Sequence, residues 1–402
     1  MAVIGAGPAG LTAAVALANM GCHTILAGPA YNSDPARPDT RTTALLGPSV
    51  QLLKNLRIWP DCEPAAAPLA AIRILDATGR ALRAPEVVFH ASELGSGAFG
   101  YNIPNSALVA ALLHRAECQP GLQLISTKGA TDVLPCDDGV DVQLAEGVGI
   151  CARLIAACDG RNSICRRAAG IGAREWRYEQ TAIACNFDHS LPHEGISNEF
   201  HTTHGPFTTV PLPGRSSSLV WVARTEEAQR LMALPDDRFA AEIERRTGPL
   251  LGTVTRNGPR SAFPLSGLTP EKFAARRIAL VGEAAHVIPP IGAQGLNMGF
   301  RDAAILADLA GSANRTGDPG MASVMAAYDA ARRGDVTSRT FAIDIVNRSL
   351  LSGLLPIQAA RGAGLHLLNS VGPLRRFVMR QGLSPQSGIP PLMRAGGVSS
   401  GA

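Results

Sequence analysis

The sequence predicts an α/β fold in which a doubly wound nucleotide-binding domain carries an inserted β-sheet domain and ends in a C-terminal helical segment. Three observations predict it. A Gly-rich turn joins a strand to a helix at the N-terminus, two further apolar segments run into turns near residues 159 and 282, and short strands crowd the stretch 181–223. The size agrees: 402 residues, 46% apolar and 17% charged, suffice for a buried core and a second domain.

The first element is the strand Ala2-Val3-Ile4. It runs into Gly5-Ala6-Gly7-Pro8-Ala9-Gly10, which opens an apolar helix over residues 11–20. This is GxGxxG in the strand–turn–helix context of a Rossmann-type unit. Gly5 permits the tight turn, Gly7 lets a pyrophosphate approach the backbone, and Gly10 lets helix and strand pack closely. Free N–H groups at the helix start then meet the phosphates. A strand over 23–27 completes the βαβ unit. The carboxylate that binds the adenosine ribose is expected near residue 28, where the chain has Gly28-Pro29. The ribose must then be held by backbone, water or another segment. The first strand is short, so either it is trimmed or the true start lies upstream.

The second cluster is an apolar strand over 154–158 that ends on Asp159-Gly160, with Ser163 placed to cap the next helix. On its own it also reads as an ordinary Asp-Gly turn. The third is a buried strand over 277–281 ending on Gly282-Glu283. Pro289-Pro290-Ile291-Gly292-Ala293-Gln294-Gly295-Leu296-Asn297 and a helix through Asp302 follow. Its glycines let backbone N–H groups approach a flat ligand, the helix start favours a developing anion, and Glu283 can bind a ribitol or ribose hydroxyl.

These clusters, in this order and at these separations, resemble the flavoprotein monooxygenases related to para-hydroxybenzoate hydroxylase over nearly the whole chain. The resemblance implies FAD as cofactor. It assigns Gly5, Gly7 and Gly10 to the pyrophosphate, Asp159 and Gly160 to FAD and the pyridine nucleotide, and Gly282, Glu283, Pro289, Gly295, Leu296 and Asn297 to ribityl and flavin ring. The family motif usually has Gly-Asp where this chain has Gly282-Glu283, which keeps the charge and lengthens the reach. A narrower resemblance, to the ubiquinone-biosynthesis hydroxylases, rests on Arg41-Thr42-Thr43-Ala44-Leu45, on residues 99–105, on Asn198-Glu199-Phe200-His201, on Gly205-Pro206-Phe207 and on residues 292–297. It implies that Arg41 lies on the cofactor and that Asn105 begins a helix beside it.

The middle of the chain reads as a separate substrate domain: strands over 181–187, 196–201, 207–212 and 218–223, an earlier strand over 71–75, and an outer helix over 231–246. The expected division is 1–66, 98–176 and 264–325 for the FAD-binding domain, 67–97 and 177–263 for the substrate domain, and 326–402 for the helical region.

The resemblance implies hydroxylation of the aromatic ring of a polyprenylated phenol through a flavin C4a-hydroperoxide, with molecular oxygen as cosubstrate. The protein must exclude water and stabilise charge at the flavin N1/O2 edge, for which the Leu296 and Asn297 backbone is the candidate, with Pro289-Pro290 shaping the wall. His286, His201 and His204 stand as proton handlers or as structural histidines. No second Rossmann GxGxxG follows, so NAD(P)H binds transiently or a partner reductase supplies electrons. Two alternatives stay open: an FAD hydroxylase of a soluble aromatic or polyketide substrate, and a flavin-binding or apo scaffold in a biosynthetic complex.

Charge sharpens the last element. The formal charge is +4, yet residues 351–402 hold five Arg and no Asp, Glu or Lys, leaving 32 basic against 33 acidic groups elsewhere, a net of −1. A general nucleic-acid binder is therefore disfavoured. The tail reads as helical pieces from Ser349, the last over 373–383, where Leu374, Phe377 and Val378 share a face near Arg375, Arg376 and Arg380. It is either a cover on the FAD domain with solvated Arg or a helix on an anionic membrane, beside a quinone-biosynthesis complex. No apolar run approaches a bilayer span, no basic leader precedes the first strand, and the eight Cys form neither a metal nor a dense disulfide pattern, so a cytoplasmic protein without metal is expected.

Overall fold

The computed structural model describes residues 1–30, 39–79, 84–351, 355–382 and 388–396. A six-stranded sheet forms its centre, in the order Ala274–Ala275, Ile278–Leu280, Ile155–Ala157, Ala2–Ile4, Thr24–Gly28, Leu122–Ser126. Every pairing is parallel except the first, which is antiparallel. Parallel strands are covered on both faces, which is why these are short apolar runs: Ala2, Val3, Ile155 and Ile278 are fully buried. Helix Pro8–Asn19 follows the central strand, as the glycine motif requires. The three sequence clusters follow the C-terminal ends of three adjacent strands, Ala2–Ile4, Ile155–Ala157 and Ile278–Leu280. That is the end of such a sheet at which ligands bind.

A larger sheet joins two separated stretches of chain. Its order is Val254–Asn257, Ala173–His189, Ser216–Arg224, Gly205–Leu212, Ile196–Thr202, Ala71–Asp76, Val87–His90, with Ser261–Pro270 also paired to Ala173–His189. The expected strands are all present, and Ala71–Asp76 docks parallel to Ile196–Thr202. Strand Ala173–His189 runs 17 residues because its charged first half, invisible to an apolar pattern, pairs with Ser261–Pro270. One sheet face, with Phe207, Leu219 and Trp221, packs under two helices. The other carries Ser218, which accepts from the Thr42 hydroxyl at 2.8 Å. A small sheet of Thr42–Leu46, Gly100–Pro104 and Ala67–Pro68 touches strand Gly205–Leu212 of the larger sheet and, through Thr42–Leu46, helix Gln294–Thr316.

Two expectations are corrected. The helix expected over 231–246 is two helices, Thr225–Met232 and Asp236–Thr247, because Pro235 takes the N-cap of the second and forces the preceding residue out of helical geometry. The chain around Ser349 begins no new piece: a single helix, Ala322–Leu351, passes through it. Helices Leu355–Ser370 and Gly372–Gly382 follow; Leu354 and Leu383 lie outside the described residues.

Of the two readings of the last helix, the cover with solvated Arg is not what the structure has. Met379 is 1% exposed, whereas Leu374, Phe377 and Val378 are 39%, 59% and 40% exposed. Arg375 is not solvated: its guanidinium donates to the Val88 carbonyl, pairs with Glu93 and lies 5.4 Å from the Phe89 ring centre. A long aliphatic stem lets Arg375 share the buried side with Met379, one turn away. All eight cysteines are free. Among the described residues no cluster could hold a metal ion, and no helix is long and apolar enough to cross a membrane.

Candidate cofactor and active site

Gly5 turns with φ +111°, and a Cβ there would stand 2.2 Å from the Cys158 carbonyl oxygen. A Cβ on Gly10 would stand 1.9 Å from the Gly5 oxygen, so the turn closes only with glycine at both places. At Gly7 nothing lies within 4 Å of the Cβ position. Open space thus faces the start of helix Pro8–Asn19, which has no side-chain cap and no acid in its first turn. Helix Gln294–Thr316 starts the same way, uncapped, behind Ala293 at φ +54°. The first helix start packs against the third cluster: Cβ atoms on Gly282, in the turn before that helix, and on Gly299, in its second turn, would lie 3.1 and 3.3 Å from the Ala9 Cβ. Two uncapped helix N-terminal regions therefore lie close together.

Each remaining predicted residue has a definite place. Asp159 accepts from the Ser163 hydroxyl at 2.6 Å and the Cys165 N–H at 3.1 Å, while Ser163 accepts from the Arg166 N–H at 2.8 Å. The carboxylate thus secures the start of helix Ile164–Ala168, and Gly160 at φ +79° makes the turn. Glu283 pairs with Arg161 at 3.2 Å, both about half exposed, bridging the second and third clusters. Arg41 forks onto Asp39 at 2.8 and 2.7 Å. Burial works against the Asp39 carboxylate, but the Arg41 bonds hold it below its ordinary range. Asn105 opens helix Asn105–Glu117 and accepts from the Thr43 hydroxyl at 2.7 Å.

Asn297 is a clamp. Its amide nitrogen donates to the carbonyls of Ala44 at 2.8 Å and Ala293 at 2.6 Å, and its oxygen accepts the Leu46 N–H at 2.9 Å. The side chain ties the helix start to strand Thr42–Leu46. Gly295 and Leu296 occupy the same first turn, and Pro289, whose carbonyl accepts the Ile291 N–H at 2.8 Å, lies in the loop before it.

His286 is a buried structural group 2.8 Å from Asp302, and His201 lies 2.8 Å from Glu199. His204 is exposed on the inserted sheet. The sequence reading missed the network behind the third cluster. Asp302 takes Arg332 at 2.6 Å; Arg332 also pairs with Asp335 at 2.7 Å, and Arg339 joins Asp335 at 2.8 Å and Gln294 at 2.9 Å. Only the spacing of Arg332, Asp335 and Arg339 on one helical face signalled part of it.

FAD fits these residues. The open space at Gly7 and the uncapped helix start suit a pyrophosphate, and the second uncapped start suits an electron-rich ring edge. The ribose position differs from the usual pattern: a Cβ on Gly28 would lie 2.5 Å from the Ala6 backbone nitrogen, so no side chain is accommodated there.

A family model described as FAD binding domain matches residues 1–338. The chain is 35% identical over 387 residues to ubiquinone hydroxylase UbiL of Rhodospirillum rubrum, covering 95% of this chain and 88% of that protein. It is 30% identical over 392 residues to 3-demethoxyubiquinol 3-hydroxylase of Escherichia coli, covering 95% and 98%. In fold it is similar to p-nitrophenol 4-monooxygenase PnpA from Pseudomonas putida, with a TM-score of 0.76 at 18% identity over 96% of this chain and 98% of that one. The glycine cradle, the paired helix starts and these matches together place the chain in the FAD-binding-domain family of FAD-dependent aromatic-ring monooxygenases.

Proposed function

We propose that this chain hydroxylates the aromatic ring of a polyprenylated phenol in ubiquinone biosynthesis. The observation that carries the reading is the packing of the uncapped first helix start, at Ala9, against Gly282 and Gly299 of the third cluster, whose own helix is also uncapped. The names of the relatives from Rhodospirillum rubrum and Escherichia coli supply the substrate class. Bound FAD, reduced by NAD(P)H or a partner reductase, supplies the chemistry that activates molecular oxygen.

In this reading Gly5, Gly7 and Gly10 present the first helix start to the pyrophosphate. Glu283, braced by Arg161, meets a ribityl or ribose hydroxyl, and the Asp159-Gly160 turn shapes the neighbouring edge. The N–H groups of Gly295, Leu296 and Asn297 face the flavin N1/O2 edge and favour negative charge there, while Pro289 walls the ring. Arg41 and Asn105 flank the cofactor. The Ser218 face of the inserted sheet closes over the ring and excludes water. The division into an FAD-binding domain, an inserted substrate domain and a helical tail belongs to the same proposal.

The test uses purified flavin-loaded protein, reduced anaerobically and then given labelled oxygen and a prenylphenol. Label in the ring is the expected result. Flavin reoxidation without ring oxygenation, together with turnover of soluble aromatic acids, would replace this reading with the second enzyme reading.

The helical tail is proposed to contact an anionic membrane at the inner face of the cytoplasmic boundary. Exposed Leu374, Phe377 and Val378 beside exposed Arg376 and Arg380 support this, since an apolar stripe flanked by cations suits an anionic lipid surface.

A further inference from the structure

The Ser218 face of the inserted sheet carries a carboxylate and a histidine that the proposed reaction leaves without a role. Along strand Ile196–Thr202, Phe200 belongs to the apolar cluster beneath helices Thr225–Met232 and Asp236–Thr247. Alternation puts Glu199 and His201 on the opposite face. The register agrees. Glu199 stands opposite Thr208, Thr208 opposite Val220 and Val220 opposite Ala184, a row across four adjacent strands that passes two residues along from Ser218.

The sheet is open at that row. Glu199, Thr208 and Val220 are partly exposed although their strands have neighbours on both sides, whereas Phe207 and Trp221 on the other face are 0% and 3% exposed. Their exposure therefore comes from the Ser218 face and not from a sheet edge. Segments next to the proposed cofactor position stand over the same face. The Thr40 hydroxyl donates to the Ala184 carbonyl at 3.4 Å, and the Arg41 guanidinium lies 5.4 Å from the ring centre of Phe263, which stands opposite Ala182. With strands about 4.8 Å apart, Glu199 is about 14 Å along the row from Ala184, room for one substituted ring. His201 Nε2 donates to Glu199 Oε1 at 2.8 Å. The other Glu199 oxygen has no hydrogen-bond partner among the described residues, and the side chain keeps 16% exposure. Beyond it Ile74, opposite Glu199, joins the apolar cluster that Leu365 and Leu368 of helix Leu355–Ser370 complete.

We propose that Glu199 is the base that takes the phenolic proton of the substrate, with His201 as the positioning residue that holds its carboxylate; this rests on the hydroxylase reading above. A phenol becomes a far better carbon nucleophile as it loses its O–H proton, because the electron pair left on oxygen is drawn to the ring carbons ortho and para to it. As the ring attacks the oxygen that the bound cofactor has activated, the phenolic O–H bond breaks and its proton passes to the free Glu199 oxygen. The dienone so formed takes that proton back on its oxygen while the newly oxygenated carbon gives up its hydrogen as a proton to water. Glu199 ends the cycle as it began it. A carboxylate fixed on one side by His201 and open on the other needs no rearrangement to accept the phenol.

The experiment compares the flavin-loaded parent with Glu199→Gln, which keeps the shape and an acceptor but loses the base. Binding of 2-prenylphenol and of its methyl ether is read from the perturbed flavin absorbance, without reductant. The parent should prefer the phenol at least about tenfold, as a hydrogen bond to a charged acceptor gives, and the variant no more than about threefold. In turnover the variant should lose at least about 100-fold in kcat for ring oxygenation with KM changed by no more than about fivefold, while its flavin is still reduced and reoxidised. A difluorinated prenylphenol, whose proton leaves more readily, should recover at least about tenfold of that loss, which a merely structural role would not allow. Glu199→Asp keeps the charge but withdraws the oxygen by one carbon, and should show the same loss in kcat. A parent that puts no oxygen into a prenylphenol overturns the hydroxylase reading and this role together. A parent that does so, beside a Glu199→Gln variant with the parental binding preference and oxygenation rate, overturns the role of Glu199 alone.

Discussion

Asp302 holds the backbone of Gly282: its Oδ2 accepts the Gly282 N–H at 2.9 Å, at the point where the third sequence cluster turns. The same oxygen lies 2.8 Å from His286, and the other takes Arg332 at 2.6 Å. Asp302 and Arg332 are both fully buried. Burial opposes each charge, yet Arg332 and His286 keep the Asp302 carboxyl below its ordinary range, and Asp302 and Asp335 keep the Arg332 cation protonated. Arg332→Met strands a buried carboxylate, so a loss of about 3–5 kcal/mol is expected. Flavin occupancy should fall with it as the Gly282 turn loosens. Adding Asp302→Asn should recover part of the loss. Thermal unfolding and the flavin-to-protein absorbance ratio check this; a single variant with an unchanged melting temperature would refute it.

Asn297→Ala removes one donor from two carbonyls and the side-chain acceptor of the buried Leu46 N–H. Each buried group left unpaired costs about 1–3 kcal/mol. The helix start should drift from strand Thr42–Leu46, shifting the flavin absorption bands and lowering kcat more than stability alone explains. Asn297→Asp keeps the acceptor but turns an oxygen toward the Ala44 carbonyl, so it should not rescue. Wild-type spectra and turnover in Asn297→Ala would sink the clamp.

Restoring an acid at the end of the second strand should harm this protein. Gly28 packs so closely that a Cβ would meet the Ala6 nitrogen at 2.5 Å, within the turn that presents Gly7. Gly28→Glu is expected to weaken FAD binding and lower the melting temperature, although the same residue binds ribose in the usual pattern. Titration of the apoprotein with FAD decides it, and tighter binding would show that the ribose, not the turn, limits affinity.

The cofactor side was legible because its signals are local. Gly5, Gly7 and Gly10 are fixed by a turn of six residues, and the strand over 2–4 by three consecutive buried side chains. The Asp302–Arg332 bond was not legible, since it joins two helices across 30 residues with no periodic trace. Nor was the orientation of the last helix: Leu374, Phe377 and Val378 mark an apolar face in sequence, but docking is set by Met379 and Arg375 against Val88, Phe89 and Glu93 far upstream. The helix break was legible in Pro235, which disfavours helical geometry in the residue before it.

That outward face gives a membrane test. The protein should cosediment with phosphatidylglycerol-containing vesicles at low salt and release as salt rises, because the cationic contribution is screened. Each surface arginine near an anionic bilayer contributes about 1 kcal/mol, so Arg380→Glu should weaken binding at least about fivefold. Phe377→Asp, at a position 59% exposed, should weaken it without changing the melting temperature. Equal binding to zwitterionic vesicles, or none to either kind, would remove the membrane from the proposal.

Asp308 supplies a pH prediction. It sits on helix Gln294–Thr316, and its Oδ2 is buried with no hydrogen-bond partner among the described residues. Burial pushes its carboxyl up to about 6, with Arg394 pulling the other way. In the unfolded chain the value is about 3.9. Between about pH 4 and 6 the folded state therefore binds more protons than the unfolded one, and this group lowers stability as pH rises through that window. Asp308→Asn removes the effect. The side chain is partly solvated, so the gain at pH 7 should be about 1 kcal/mol rather than the roughly 3 kcal/mol of a fully dry site. At pH 4 the variant and the parent should unfold alike. Chemical denaturation at both pH values measures the difference, and an equal gain at pH 4 and pH 7 would show that packing, not the charge, is the cause.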